Sequence, residues 1–164
     1  MRIWVEVSSG DWAWTKKIQN SNHDDKRGLK APATTRYVNL LKEVREGDII
    51  LSYLTKSLTQ NSKWRGSIVG ISTATSSCYK KGNTLFVDTD KDLEIPVPIK
   101  HSEFKDSKRL SEGFKKIIRR SMQIYLFEIT KEDFEILIGM NSVNATFLKQ
   151  SDYANTVSDV HDST

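Results

Sequence analysis

Aromatic side chains beside basic ones are the residues of this sequence that point most directly to chemistry. Trp64 lies between a lysine and an arginine, and Tyr79 comes directly before Lys80 and Lys81. An aromatic ring can stack on a nucleobase, which contributes about 1–3 kcal/mol per base, while neighbouring cations contact phosphates. The spacing therefore predicts contact with nucleic acid.

Four tryptophans in 164 residues extend this pattern. Trp12 and Trp14 follow a Ser-Ser-Gly turn at the start of a predicted helix, and Trp4 lies in a predicted strand. For any single tryptophan, the simpler interpretation is packing at one end of the core with the indole N–H near the surface. From the whole set, we expect at least one to line a ligand pocket.

Residues for catalysis or metal binding are sparse. The three histidines, His23, His101 and His161, lie in polar segments, and none has a second histidine at metal-ligand spacing. The single cysteine, Cys78, excludes an internal disulfide and a cysteine-based zinc cluster. Phosphate-binding loops and nucleophile-elbow motifs are absent from the sequence. We therefore expect a binding domain and no enzyme, without metal or cofactor, in a reducing cytoplasm.

The charge distribution is basic. The net charge is +4 and the sequence pI is about 9.1. Between positions 100 and 120, eight basic residues face three acidic ones. Such a surface attracts a phosphate backbone, although a solvated basic face is the simpler alternative. No apolar run approaches the roughly 20 residues that span a bilayer, and we expect neither a signal peptide nor membrane association.

The apolar pattern predicts an α+β fold. Alternation at Ile3, Val5 and Val7 predicts a first strand, and apolar runs predict strands over 49–54 and 67–75. Gly70 within the later run predicts a bulge or a close approach of another group. Helices are expected over 12–20, 37–44, from 111 and from 131, and residues 20–35 are expected to form a loop. The element order favours a mixed, mostly antiparallel β-barrel flanked by helices, with Pro96 and Pro98 on an edge strand.

Four segments carry a resemblance to a known family. They are residues 3–9 (IWVEVSS), 44–53 (VREGDIILSY), 64–71 (WRGSIVGI) and 120–130 (RSMQIYLFEIT). Their order and spacing resemble the EVE and YTH domains of the PUA-like superfamily over roughly residues 2–140. We therefore expect one such domain over residues 1–150, followed by a flexible tail or linker over 151–164.

The resemblance implies a reader of modified bases. Such domains flip a base out of the helix and hold it in an aromatic cage, and similar modules lie at the N-terminus of GTPases in modification-dependent restriction systems. The implied partner is DNA with a modified, methylated base, and the implied context is a fused or associated GTPase or nuclease effector. The alternatives are a PUA-like reader of modified RNA, a nuclease- or hydrolase-type enzyme, and a module that binds a small ligand or a protein.

The resemblance also implies site residues. Many relatives carry a tryptophan in the cage wall where this sequence has Leu29, so either the cage is weaker or another aromatic residue, Trp12, Trp14, Tyr53 or Trp64, supplies that wall. The expected base pocket comprises Ser8, Ser9, Asp11, Trp12, Trp14, Leu29, Lys30, Ala31, Tyr53, Trp64 and Tyr79. The expected phosphate contacts are Arg27, Lys63, Arg65, Lys80, Lys81, Lys115, Lys116, Arg119 and Arg120.

Overall fold

The computed structural model describes residues 1–8, 14–15, 28–32, 38–56, 59–112, 114–115, 125–158 and 160. The strands in these ranges are β1 (Ile3–Ser8), β2 (Leu29–Pro32), β3 (Ile49–Leu54), β4 (Ser67–Ala74), β5 (Tyr79–Lys81), β6 (Thr84–Val87), β7 (Thr89–Lys100) and β8 (Leu126–Ile129). The helices are α1 (Val38–Leu41), α2 (His101–Phe104), α3 (Lys131–Gly139) and α4 (Ser142–Lys149). In this part of the chain, no helix has the length and apolar character needed to cross a membrane. Most of the helix predicted over 12–20 lies outside the described residues.

A five-stranded sheet with the order β7-β4-β3-β1-β8 forms the centre of the fold. Its central pair, β1 and β3, is parallel, and its other neighbouring strands are antiparallel. Strand β7 lies at an edge, which confirms the position predicted from Pro96 and Pro98, because a proline cannot donate to a ladder on both sides.

Alternation along β3 divides this sheet into two buried faces. Ile49, Leu51 and Tyr53 point into the main core, which is completed by residues of α3 and α4. Ile50 points the other way, into a second core with Trp4 and Leu41. Both faces are therefore covered, which explains why β3 is apolar at every position except the buried Ser52.

A separate three-stranded sheet with the order β2-β6-β5 covers the second core. Leu29 and Ala31 of β2 are buried there with Leu85 and Val87 of β6. The loop predicted over 20–35 is therefore wrong at residues 29–32, where alternating apolar side chains form a strand. The α+β class and the mostly antiparallel pairing are confirmed. The described residues form two sheets and no closed barrel, so the barrel remains a prediction.

The segment predicted to be a tail packs against the main core. Tyr153, Val157 and Val160 are each at most 2% exposed. The Tyr153 hydroxyl donates to the Lys91 carbonyl oxygen at 2.7 Å and accepts a hydrogen bond from the Thr73 hydroxyl at 3.1 Å. The prediction failed because the polar residues between these apolar anchors dominate the local composition.

Buried Asp48 joins the beginnings of β1 and β3. Its Oδ1 accepts from the Arg2 backbone N–H at 2.9 Å. Its Oδ2 accepts from the Trp4 indole Nε1 at 3.0 Å and from the Arg45 backbone N–H at 2.9 Å. The Arg2 guanidinium in turn lies 4.6 Å from the centre of the Trp4 ring. One carboxylate thus satisfies three donors, of which the Trp4 indole is fully buried.

Replacing Asp48 tests this junction. We expect Asp48→Ala to lower the free energy of unfolding by about 3 kcal/mol, because each buried donor that loses its acceptor costs about 1–3 kcal/mol. Urea unfolding followed by circular dichroism measures the change. The control is Glu46→Ala, at an exposed position of the same turn, which should change stability by less than about 0.5 kcal/mol. A loss below about 1 kcal/mol for Asp48→Ala would contradict the assigned role.

Candidate nucleic-acid interface

Three strand ends position the candidate site. Ser8, the last residue of β1, pairs with Leu54, the last residue of β3, and Leu54 pairs with Ser67 at the start of β4. The Thr55 backbone N–H donates to the Ser8 carbonyl oxygen at 2.9 Å, which continues the β1–β3 ladder past the last pair. Side chains from all three strands therefore meet at one end of the sheet.

A small apolar cluster, here named the tryptophan corner, lies at this end. It consists of Trp14, Leu54, Trp64 and Val69, and it is separate from the two larger cores. Leu54 is in phase with Ile50 along β3, so the corner lies on the face of the sheet that also carries the second core. Trp14 is 1% exposed and Trp64 is 9% exposed.

Gly70 makes room for the Trp14 ring. A Cβ atom at this position would overlap the Cζ2 and Cη2 atoms of the indole. The backbone of β4 can approach the ring only because no side chain intervenes, which confirms the close approach predicted from a glycine inside an apolar strand. The Trp14 ring consequently lies directly against the backbone of β4 at Gly70.

Two polar atoms near the corner lack hydrogen-bond partners within the described part of the chain. They are Nε1 of Trp14 and Oγ1 of Thr59, and both are buried. An unsatisfied buried donor costs about 1–3 kcal/mol, so such atoms are uncommon and require an explanation. The Thr59 carbonyl oxygen accepts from Nε of Arg65 at 2.8 Å, which places Thr59 beside the Trp64 segment.

Basic side chains surround the same end of the sheet. Arg65 and Lys63 flank Trp64, and the Lys100 ammonium donates to the Lys63 carbonyl oxygen at 3.3 Å. The aliphatic part of Lys56 passes 2.9 Å from the position that a Cβ of Gly66 would occupy. The four basic residues are exposed and form what we name the basic rim: Lys56, Lys63, Arg65 and Lys100. This rim is a local positive surface of the kind that attracts phosphates.

A polar connection crosses the same face of the main sheet. Glu6 is 5% exposed and pairs with Ser52, which pairs with Gly70. The Tyr125 hydroxyl donates to Oε2 of Glu6 at 2.8 Å and accepts from the Lys30 backbone N–H at 3.0 Å. Burial raises the pKa of Tyr125 well above its usual value, and the Glu6 carboxylate raises it further because it accepts the phenolic proton.

The structure brings together part of the predicted base pocket. Trp14 and Trp64 belong to the tryptophan corner, and Ser8 pairs with Leu54 of the same corner. Tyr79 lies elsewhere, on β5, where it stacks against Phe86. The side chain of Lys30 is exposed on β2. Ser9, Asp11 and Trp12 lie outside the described residues.

Three predicted pocket residues are inside the cores. Leu29 and Ala31 pack in the second core beneath the three-stranded sheet. Tyr53 packs in the main core, on the opposite face from the corner, because it lies one residue before Leu54 in the strand alternation. The expectation that these three join Trp14 and Trp64 in one pocket is corrected accordingly.

The residues predicted to contact phosphates lie in different parts of the structure. Lys63 and Arg65 lie on the basic rim, whereas Lys80 and Lys81 are exposed on β5. Lys115 is 7% exposed, and its ammonium donates to the Ser107 carbonyl oxygen at 2.7 Å and pairs with Glu112 at 2.8 Å. Lys115 is therefore occupied within the fold and is not a surface phosphate contact. Arg27, Lys116, Arg119 and Arg120 lie outside the described residues.

Several site residues were missed from the sequence. Lys56 and Lys100 reach the rim only through tertiary structure, since β7 brings Lys100 opposite Ser67. Thr59 has no motif around it, and what distinguishes it from the other buried threonines is a hydroxyl with no hydrogen-bond partner among the described residues. In the ranges that the structure describes, no group of three or more His, Cys, Asp or Glu side chains could hold a metal ion.

The fold is similar to solved structures of bacterial proteins. Rpa0253 from Rhodopseudomonas palustris is 16% identical, with a TM-score of 0.59 covering 84% of this chain and 90% of that one. Atu2648 from Agrobacterium tumefaciens is 18% identical, with a TM-score of 0.61 over the same shares. PSPTO5229 from Pseudomonas syringae is 13% identical, with a TM-score of 0.57 covering 82% and 96%. These likenesses show the fold, and the names state no activity. No family model and no curated protein matches the sequence.

Gly70→Ala tests the packing of Trp14. The new methyl group overlaps the indole, so we expect the free energy of unfolding to fall by about 1–3 kcal/mol as the ring is displaced. A double-mutant cycle with Trp14→Ala, measured by urea unfolding, isolates the contact. Gly70→Ala should cost much less in the Trp14→Ala background. Equal costs in the two backgrounds would show that the indole does not lie on Gly70.

Tyr125→Phe tests the link to Glu6. At pH 7 we expect a loss of about 1–3 kcal/mol, because the buried carboxylate loses a donor. The raised pKa means that the native phenol stays protonated while the unfolded one ionises above about pH 10. Stability of the unmodified protein should therefore fall as pH rises above this value. The stability of the Tyr125→Phe variant should fall less steeply with pH, by about 1.4 kcal/mol per pH unit. Urea unfolding at several pH values measures both slopes, and equal slopes would refute the assignment.

Proposed function

We propose that this chain is a nucleic-acid-binding domain that holds one flipped base at the tryptophan corner, and that its ligand is DNA with a modified, methylated base. The observation that carries the proposal is the buried Trp14 Nε1 donor, which has no acceptor among the described residues and lies beside a second tryptophan and the basic rim. A ligand that offers an acceptor and carries negative charge is complementary to this arrangement.

A nucleobase has the required chemistry. Its ring nitrogens and carbonyl oxygens can accept from the Trp14 indole N–H, and the Thr59 hydroxyl can donate or accept. Extruding a base from a duplex costs a few kcal/mol, and stacking of that base on an aromatic ring offsets about 1–3 kcal/mol of this cost. The phosphates on either side of the extruded nucleotide would lie at the basic rim, where Lys63 and Arg65 are exposed.

Discrimination of a methyl group follows from the apolar lining. Leu54 and Val69 complete the corner with the two indoles. A buried methyl carbon contributes about 0.8 kcal/mol, which corresponds to roughly a fourfold preference in Kd. A larger preference requires a polar group that distinguishes the modified base, and Nε1 of Trp14 and Oγ1 of Thr59 are the candidates, since both are buried without a partner among the described residues.

Entry of a base requires one of the indoles to move, because both are at least nine-tenths buried. Trp14 is held against Gly70, whereas Trp64 lies between the exposed residues Lys63 and Arg65. Trp64 is therefore the ring that we expect to swing outward when a base binds. This change would be local, since the strands beneath the corner are paired on both sides.

The biological context follows from the sequence resemblance. It supports a role as the targeting domain of a modification-dependent restriction system, with catalysis in a fused or partner GTPase or nuclease. In this role the domain would supply recognition of the modified base, and the effector would supply strand cleavage.

Binding to a matched panel tests the proposal. The panel comprises duplex DNA and single-stranded RNA, each unmodified or carrying methyladenine or methylcytosine, and Kd is measured by fluorescence anisotropy. We expect a preference for a modified duplex, and Trp64→Ala should weaken that binding by about tenfold through lost stacking. The conservative variant Trp64→Phe should retain most of the affinity because it keeps a ring.

Charge variants measure the contribution of the basic rim to binding separately from that of the tryptophan corner. Lys63→Gln should reduce the slope of log Kobs against log salt by about 0.9 for duplex DNA. Lys131→Gln removes the same charge at an exposed position after β8, whose Ile129 pairs with Ile3 at the other end of β1, and should leave the slope unchanged. Preference for modified RNA would favour the RNA-reader alternative over the DNA reader. Equal weak binding to every member of the panel would reject the proposal.

A further inference from the structure

The strand register places an aromatic row on the outer face of the three-stranded sheet. Lys30 of β2 is opposite Phe86 of β6, and Phe86 is opposite Tyr79 of β5. Residues directly opposite one another project from the same face of a sheet. Their neighbours Leu29 and Leu85 point inward to the second core, so this row points away from it.

The two rings form an ordered and accessible surface. The Tyr79 and Phe86 centroids are 5.7 Å apart and the rings are inclined by 24°, which is an offset-stacked pair. Tyr79 is 38% exposed, an unusual value for a large aromatic side chain in this protein. Its hydroxyl donates to Oδ1 of Asp88 at 2.6 Å, which fixes the ring at its far end. The ring is therefore positioned before any ligand arrives.

Positive charge surrounds these rings. Lys30 lies at the β2 end of the aromatic row, and Lys81 is opposite Thr84 in the next row on the same face. Lys80, between Tyr79 and Lys81 on the edge strand, is also exposed. Lys80 is opposite the inward-pointing Leu85 and projects from the other face, so among the described residues the outer face carries Lys30 and Lys81 beside Asp88, which accepts the hydrogen bond from Tyr79. Aromatic rings with cations on both sides are the arrangement that binds single-stranded nucleic acid.

We infer that this outer face, which we name the Tyr79 platform, is a second nucleic-acid site that stacks one unpaired base of a single strand. The occupant is unpaired because both faces of a base in a duplex are already covered by its neighbours. Stacking of this kind is tolerant of sequence, since every base has a ring face. Lys30 and Lys81, which share the outer face with the rings, would contact the adjacent phosphates.

The platform goes beyond the proposed function and does not depend on it. The inner face of its sheet covers the second core, whereas Trp14 and Trp64 form a separate cluster. A hydrogen bond from the Lys30 backbone to Tyr125 joins the platform strand to the main sheet, and it does not involve the Lys30 side chain. Side-chain variants on the platform should therefore leave the tryptophan corner intact.

The test uses the full chain and unmodified oligonucleotides of about 12 nucleotides, oligothymidylate DNA and oligouridylate RNA, with Kd measured by fluorescence anisotropy. Tyr79→Ala should weaken binding by about fivefold to tenfold or more. Tyr79→Phe keeps the ring and loses only the hydroxyl, so its Kd should stay within about twofold of the unmodified protein. Thermal melting followed by circular dichroism checks that both variants are folded.

A charge variant supplies an independent readout. Lys30→Gln should lower the slope of log Kobs against log salt by about 0.7 for a single strand, whereas Tyr79→Ala should leave the slope unchanged. Lys105→Gln is the matched control for charge removal, because Lys105 follows α2, whose Phe104 packs in the main core. A changed slope for Lys30→Gln alone supports the platform.

The outcomes distinguish this inference from the proposed function. The platform would be overturned if the Tyr79→Ala variant bound both oligonucleotides as tightly as the unmodified protein. It would also be overturned if Tyr79→Phe and Tyr79→Ala lost the same amount of binding affinity. A loss with DNA, RNA or both supports it and identifies the sugar that is accepted. Trp64→Ala should leave oligonucleotide binding intact. If Trp64→Ala also leaves modified-duplex binding intact while Tyr79→Ala weakens oligonucleotide binding, the proposed function fails and the platform stands.

Discussion

The carboxylate of Asp48 sets the register on which the candidate site depends. By accepting from the Arg2 backbone and the Trp4 indole, it joins the start of β1 to the start of β3. These strands are parallel and pair without a bulge as far as Ser8 and Leu54. A slip of one residue in β3 would turn Leu54 towards the main core, because side chains alternate along a strand. A polar contact at one end of the sheet thus determines which side chains meet at the other.

Polar side chains on both faces of the main sheet have hydrogen-bond partners. On the face towards α3 and α4, the Thr73 hydroxyl donates to the Tyr153 hydroxyl at 3.1 Å. The other face buries polar side chains that have clear partners, such as Glu6 with Tyr125, and Ser72 with Asp92 at 2.6 Å. Against this background, the Trp14 indole N–H is conspicuous, because it is buried on the same face without an acceptor in the described residues. This contrast distinguishes the tryptophan corner from ordinary core packing.

The sequence predicts the features that depend on local pattern. The apolar runs of β3 and β4, the edge position of β7 and the space at Gly70 follow from spacing alone. Strand β2 was missed because Leu29 and Ala31 become a strand only when β6 pairs with them. In the sequence, Trp64 and Tyr53 are both aromatic residues beside a strand or within one, and both are candidates for the pocket. Strand phase and tertiary contacts place them on opposite sides of the sheet. Likewise, nothing near Lys115 indicates that its ammonium is used inside the fold.

The central position of β1 has a consequence for how the chain folds during synthesis. Ile3 pairs with Ile49 on one side and with Ile129 on the other. At ribosomal rates of roughly 5–20 residues per second, the β8 partner is made on the order of 10 s after β1. Until then, one edge of the first strand presents open backbone donors and acceptors, which is the condition that favours pairing with other chains. Until β8 is made, this open edge is therefore a site for aggregation, although the residues of both candidate binding surfaces precede β8 and have already been synthesised.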